Sequence, residues 1–391
     1  MRITHTVGIR HQRGIRVLVL AAAAAALGFG SGLASAQTTG PAQPAAAAPA
    51  EDPFVTFFKR TELSGFVDTY YGFNFNRPST RQNQLRNFDV EHNSFDLNLA
   101  EISLNKVPTD DSRGGFRVDV DYGRATSLIN ASEPGGATFE HIGQAYVSYL
   151  APTTHGLQFD IGKFYTPIGN EVVKTKDNWN YSRSLVFTLA EPYYHMGLRT
   201  TYAASDRVSV AGFLVNGWND VTDNNGAKSV GGQVTLKPNG SLTIAETYLA
   251  GPEQANDDSD WRHLADTVVT YTATPQVSLA ANYDYGHDTV TGAGVTWQGV
   301  AGYVRIAPVS WFALTPRVEY YDDGDAFSTG TSQTLTEATV TAEFAPKGGL
   351  LTRVEYRRDM SNQAFFLKNA ADHMDHQDTL TVGIIYAFST K

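Results

Sequence analysis

The chain has 391 residues, no cysteine, and 40 acidic side chains against 30 basic ones, for a formal charge of −10. Lack of cysteine removes disulfide stapling and thiol chemistry, and the acidic balance argues against a nucleic-acid partner. Past the N-terminus no stretch approaches the ~18 consecutive apolar residues of a membrane-spanning helix.

Residues 1–36 read as a secretory signal peptide. Arg2, Arg10, Arg13 and Arg16 make a basic leader, Val17–Leu27 is an unbroken apolar run, and Ala34-Ser35-Ala36 is a small-residue cleavage site. Its removal takes four positive charges and no acids, lowering the formal charge from −10 to −14. Residues 37–61 read as a periplasmic linker, Pro/Ala-rich with little to bury, in which Phe54–Arg60 is a short helical or extended lead-in. Residues 62–391 are the folded part.

From Leu63 onward the pattern has period two. In "LSGFVDTYYGFNFN", Leu63, Val67, Tyr71, Phe73 and Phe75 fall on one face, and Ser64, Asp68, Asn74 and Asn76 on the other. Successive side chains of a strand point to opposite faces, so such a run has one oily and one wet side. Sixteen runs of this kind are predicted, at 62–76, 93–106, 114–124, 139–150, 156–165, 192–203, 206–217, 227–237, 240–250, 261–272, 275–286, 295–307, 309–322, 333–345, 349–358 and 377–388. The second changes phase near Ala100–Glu101, which points to a bulge or a wrong boundary. Tight links such as "PNG" (238–240) and "PKGG" (346–349) alternate with long ones, including 77–92, 125–138, 166–191, 218–226, 251–260, 287–294, 323–332 and 359–375.

Sixteen strands with one apolar face each, and no amphipathic helices to cover them, point to an all-β fold. The expected architecture is a transmembrane up-and-down antiparallel β-barrel with short periplasmic turns and long extracellular loops, its oily face on lipid and its wet face on a water-filled lumen. Tyr70, Tyr71, Tyr149, Tyr193, Tyr194, Trp218, Trp261, Trp311, Tyr320, Tyr321 and Tyr386 lie near run ends, where interfacial aromatic girdles are expected.

The segments "GFVDTYYGFNFNRP" (65–78), "GKFYTPIGNE" (162–171), "KDNWNYSRSLVFTLAEPYYHMGLR" (176–199) and "VNGWNDVTDNN" (215–225) resemble the β-barrel porin family of Gram-negative outer membranes. "GKFYTPIGNE" also resembles the matching passage of phosphate-selective porins, although the long basic ladder of that group is not visible. The resemblance implies a passive channel in the outer membrane for small hydrophilic solutes or ions, a homotrimeric assembly, and a third long loop folded into the lumen. On that basis Lys174, Lys176, Asp177, Asn178, Trp179, Asn180, Tyr181 and Arg183 form the pore constriction, with Leu185, Val186, Phe187 and Leu189 anchoring the loop to the wall. A solute-specific channel for an anion or a carbohydrate, and a plugged structural or adhesive barrel, stay open as alternatives.

The wet phase of the strands carries the expected lumen charges: Asp68, Arg117, Asp119, Asp121, Asp160, Arg199, Asp284, Arg305, Arg317, Glu319, Glu337, Glu343, Arg353, Glu355 and Arg357. On the lipid face each would cost about 2–4 kcal/mol near the midplane. They either form an electrostatic filter or pair across strands. The acidic total tilts the expectation toward cations. "DHMDH" (372–376) lacks a fixed third ligand for a metal, and "NDVTDNNG" (219–226) fits a turn better than a calcium loop. No nucleophile–base constellation or phosphate-binding glycine loop is present, so neither an enzyme nor a cofactor or metal site is expected.

Overall fold

The computed structural model describes residues 53–391; the expected signal peptide and the linker as far as residue 52 lie outside the described residues. The rest of the expected linker is helical. Helix α1 (Pro53–Arg60) sets Phe57 against Phe116, ring centroids 6.1 Å apart. An aromatic pair of this kind gives a short helix the packing it cannot supply itself.

The strands in chain order are β1 (Glu62–Asn74), β2 (Ser94–Lys106), β3 (Gly114–Tyr122), β4 (Ile142–Leu150), β5 (Leu157–Tyr165), β6 (Tyr194–Ser205), β7 (Val208–Val215) and β8 (Ser229–Asn239). They continue with β9 (Leu242–Pro252), β10 (Trp261–Thr274), β11 (Val277–Val290), β12 (Ala293–Val309), β13 (Phe312–Asp323), β14 (Gln333–Phe344) and β15 (Leu350–Ser361). A small hairpin, β16 (Phe366–Lys368) and β17 (Asp372–Met374), precedes the last strand β18 (His376–Ser389). Sixteen of these form a closed barrel in which each strand pairs with its sequence neighbour and β1 closes on β18, from Ser64↔Ser389 to Asn74↔Thr379. Closure leaves no unpaired edge, as a hydrocarbon surrounding requires.

Alternation in burial follows alternation in sequence. Along β14, Gln333, Leu335, Glu337, Thr339, Thr341 and Glu343 are buried, while Thr336, Ala338, Val340 and Phe344 are exposed on the outer wall. Among the described residues no helix is long and apolar enough to cross a membrane.

Four expectations are corrected. The bulge in β2 is Asn98, because Asp68 pairs with Leu99 and Thr69 with Leu97; the phase change two residues on is its downstream trace. The link expected at 287–294 is a two-residue hairpin turn, with Thr291 and Gly292 both at positive φ (50° and 80°), so β11 and β12 run on past the ends expected for them. Tyr70, Tyr193, Tyr194 and Tyr321 are buried inside the barrel, at 2%, 6%, 0% and 0% exposure, and Trp218 sits edge-on to Trp297. Period two sends the neighbours Tyr70/Tyr71 and Tyr320/Tyr321 to opposite faces, so only one of each can reach lipid, while Tyr193 and Trp218 lie outside the strands and Tyr193 donates to Thr188 O. Tyr71, Tyr149, Trp261, Trp311, Tyr320 and Tyr386 remain on the outer side. Finally, the last long connection is not a plain loop: it holds the β16–β17 hairpin, and Phe366 packs inside with Leu185 and Trp297.

Candidate functional site

The 166–191 segment leaves β5 and returns to β6 through a 3-10 turn (Thr175–Asp177) and a helix, α2 (Leu185–Leu189). Ser184 caps that helix by accepting from the Phe187 N–H at 2.9 Å. The segment lies on inward-facing groups along a long arc of wall. Pro167 takes the Gln233 side chain of β8 at 3.0 Å, Asn170 N–H reaches Asn282 of β11 at 2.8 Å, and Lys174 reaches Glu101 of β2 and Asp119 of β3 at 2.6 and 2.8 Å. Among the described residues, the inward side chains of β4 to β9 and of β18 receive no hydrogen bond from residues 169–191; β8 is met only through Pro167.

Three buried arginines of the wall hold the middle of the segment. Arg353 donates to the carbonyls of Thr175 (2.7 Å), Asn180 (3.0 Å) and Asn178. Arg317 donates to Ser182 O at 2.8 Å and to Glu171 at 2.9 Å, and Arg357 to Arg183 O. Glu355 accepts the N–H groups of Tyr181 and Ser182 at 2.7 and 2.9 Å, and Glu319 that of Val186 at 3.2 Å. A loop with no ladder of its own thus has its peptide groups satisfied by charged wall residues, which a water-poor interior demands. Arg183 folds back on its own segment, donating to Val172 O (3.0 Å) and Tyr181 O (2.7 Å) with its plane over Phe88, 4.2 Å away.

Tyr181 is fully enclosed. Its hydroxyl donates to Asp68 of β1 at 2.8 Å, its amide to Glu355 of β15, and its ring lies where any side chain at Gly383 of β18 would be, 2.1 Å from a built Cβ. Burial and the Asp68 charge push the phenol well above its usual range.

The eight residues expected at a constriction therefore divide. Lys174, Asn178, Asn180, Tyr181 and Arg183 are buried in contacts with the wall or within the segment; Lys176, Asp177 and Trp179 keep accessible surface. Of the four anchors, Leu185 and Val186 pack with Trp297, Tyr303 and Tyr321, Leu189 borders that cluster, and Phe187 joins Phe88 and Tyr193.

Two adjoining cavities, about 360 and 240 Å³, share Arg117, Lys174 and Asp177 in their walls. The first opens at Glu62, Ser64 and Ser389, at one rim of the barrel; the second reaches Tyr165 and Tyr193.

Among the expected lumen charges, Asp68, Asp119, Asp121, Asp160, Asp284, Arg317, Glu319, Glu337, Glu343, Arg353, Glu355 and Arg357 are all buried, and Arg117, Arg199 and Arg305 half-buried. The three accessible arginines each pair with a buried acid: Arg117 with Asp119 (3.0 Å), Arg199 with Asp160 (2.8 Å) and Arg305 with Glu343 (2.6 Å). The guanidinium in each pair is the partner that meets water.

Sequence reasoning missed a second interior segment. Residues 75–93 fold inward, where Arg86 bridges Asp89 and Asp359 at 2.7 Å each, and Phe88 packs on Phe187 and Tyr193. Its only sequence sign was a run mixing Phe88 and Val90 with polar residues in an otherwise solvent-like loop. Glu171, Thr175, Ser182 and Ser184 were missed too; they hold the segment's shape rather than facing the path. The "DHMDH" side chains are spread over hairpin and strand, with His376 turned to Asp375 at 2.7 Å.

A closed sixteen-stranded barrel lined with ion pairs, with long segments folded into its interior, is the geometry of porins. The family described as "Putative beta-barrel porin-2, OmpL-like" matches residues 60–388. The chain belongs to that family. Family and fold together describe an outer-membrane channel protein of Gram-negative type rather than an enzyme. No curated protein matches by sequence. Among solved structures it is similar to an anion-selective porin from Comamonas acidovorans, with TM-score 0.58, 10% identity, and coverage of 84% of this chain and 99% of that one. OmpF of Salmonella typhi in complex with daunomycin gives TM-score 0.55, 15% identity, and 84% and 97% coverage. The trimer form of Vibrio cholerae OmpT gives TM-score 0.54, 13% identity, and 84% and 99% coverage. At these identities the likeness is one of fold.

Proposed function

We propose that this porin is a passive diffusion channel for small hydrophilic solutes or ions, narrowed by the 166–191 segment. The observation that carries this is the run of hydrogen bonds from that segment to the inner wall, from Gln233 of β8 through Arg317 and Arg353 to Asp119 of β3. What is left for a solute is the side facing Arg117 and Arg199, bounded on the segment by Lys176 and Asp177. The charge filter in this reading rests on those four residues and Arg305, not on the buried Lys174 and Arg183. Planar-bilayer recording of purified, folded protein tests it: stepwise conductance is expected, and its absence, with no liposome swelling in small sugars, would mean a plugged barrel.

A second reading concerns selectivity. Arg117, Arg199 and Arg305 turn their guanidinium groups to water while their carboxylate partners are buried, so a passing ion meets positive charge first. This supports anion preference, against the tilt suggested by net charge. The anion-selective Comamonas porin is a precedent for the fold. A salt-gradient reversal potential of anionic sign is the expected result; a cationic sign refutes it. The proposed assembly is a homotrimer, to be checked by the mass of the detergent-solubilised protein.

A further inference from the structure

Where the 166–191 segment rejoins the wall, Glu191 meets Asp266 of β10 and Asp284 of β11. One carboxylate oxygen from each lies within 4.8 Å of the other two. All three residues are buried, at 2%, 1% and 0% exposure. Both oxygens of Glu191, and Oδ2 of Asp284, have no hydrogen-bond partner. The donors that do reach the cluster are few and neutral: Gly169 N–H to Asp266 at 3.3 Å, the Asn282 amide to Asp266 at 2.8 Å and Asp284 at 3.2 Å, and the Thr247 side chain to Asp266. No lysine or arginine pairs with the three among the described residues; Arg262 is taken up by Asp288, and Arg317 by Glu171, Glu319 and Glu337.

Three ionised carboxylates in a buried pocket with no counter-charge are strongly unfavourable unless something neutralises them. Oxygen donors of this kind, with no nitrogen or sulfur, match hard divalent cations. The pocket is also shaped around Glu191: a Cβ on Gly169, whose φ is +86°, would stand 1.9 Å from Glu191 Oε2. We propose that Glu191, Asp266 and Asp284 bind one hard divalent cation, calcium in the first place, which ties the C-terminal end of the 166–191 segment to β10 and β11. Calcium accepts monodentate and bidentate carboxylates in flexible geometry, whereas magnesium demands near-ideal octahedra and keeps its water. The bound ion brings the cluster from three negative charges to one. The inference stands apart from the permeation reading, since a channel that conducts can lack the ion and a plugged barrel can hold it.

The indole N–H of Trp297 reaches Ala190 O at 3.4 Å, beside Glu191, and makes terbium a direct probe. Folded full-length protein, stripped with a calcium chelator, should give saturable indole-sensitised terbium emission at one ion per chain, and calcium should displace it. Calcium should also raise the unfolding temperature of the stripped protein. Glu191→Gln and Asp284→Asn should each lower affinity by more than the roughly 10–100-fold lost with a supporting hydrogen bond. Each variant removes a charge from an uncompensated cluster, so the stripped variants should still fold, as read from their heat-modifiable gel migration. If they do not fold, the calcium response of the parent decides alone. The proposal is overturned if the parent shows no displaceable emission, or if emission is unchanged in both folded variants, which would put the ion elsewhere. It is equally overturned if calcium leaves the unfolding temperature unmoved while acid raises it, because shared protons would then neutralise the cluster.

Discussion

Replacing Arg353 by Met keeps the apolar stem and removes the guanidinium. In the parent this group, 1% exposed, serves the carbonyls of Thr175, Asn178 and Asn180 and pairs with Glu343 at 2.8 Å. Breaking a buried, hydrogen-bonded ion pair from one side typically costs about 3–5 kcal/mol. Glu343 keeps Arg305 at 2.6 Å, and the three carbonyls take up water once the segment lifts, so the cost falls near the lower end, about 3 kcal/mol. At about 1.4 kcal/mol per tenfold, the balance between seated and lifted forms shifts by roughly a hundredfold. Lys174 still holds Glu101 and Asp119, and Arg317 and Arg357 still hold Ser182 and Arg183, so the lifted part is confined to residues near 176–180. In single-channel recording the variant should show larger and more frequently fluctuating conductance than the parent. Arg353→Lys should restore it only in part, because an ammonium lacks the planar fork that meets several carbonyls at once. A folded Arg353→Met barrel with the parent's conductance and noise would refute the reasoning.

Deleting residues 174–184 should raise conductance further; unchanged conductance sinks the assignment of this segment to the constriction. Arg117→Ser combined with Lys176→Glu should move the reversal potential toward cations with little change in conductance, as both side chains border the 360 Å³ cavity without holding the loop's backbone. In the 216–228 loop, burial, with Glu253 and Glu133 nearby, pushes the Asp220 carboxyl up to about 8. Its protonated form is the one the fold favours, so that contribution to loop stability is complete in acid and lost as pH rises from about 4 through 8. Amide hydrogen exchange, corrected for intrinsic rates, should show the loop loosening over that range, and Asp220→Asn should flatten the profile.

The wall of this barrel was open to reading from sequence because its physics is local. Each strand needs only one oily and one wet face, so runs such as 333–345 and 349–358 announce both their position and their inward residues, Glu337 and Arg353 among them. The 287–294 link was misjudged because Thr-Gly is an inconspicuous route to two positive φ values. The interior was harder. Arg353 and Arg357 read as pore charges by phase, but phase cannot tell a side chain facing water from one facing a folded-in loop. The inward course of 75–93 depends on Arg86 finding Asp359, 273 residues away. Glu191, Asp266 and Asp284 come from one loop and two strands, with no spacing that betrays their meeting.

Tyr181 has a consequence beyond the width of the lumen. Its hydroxyl is on β1, its ring on β18 and its amide on β15, so a single side chain from the middle of the chain straddles the line where the first and last strands meet. Unzipping the barrel along that line requires Tyr181 to be pulled away first, and withdrawing the loop strips an interior latch from the joint. Loop release and strand separation are thereby coupled into one cooperative event, and the part that shapes the passage also helps keep the cylinder shut.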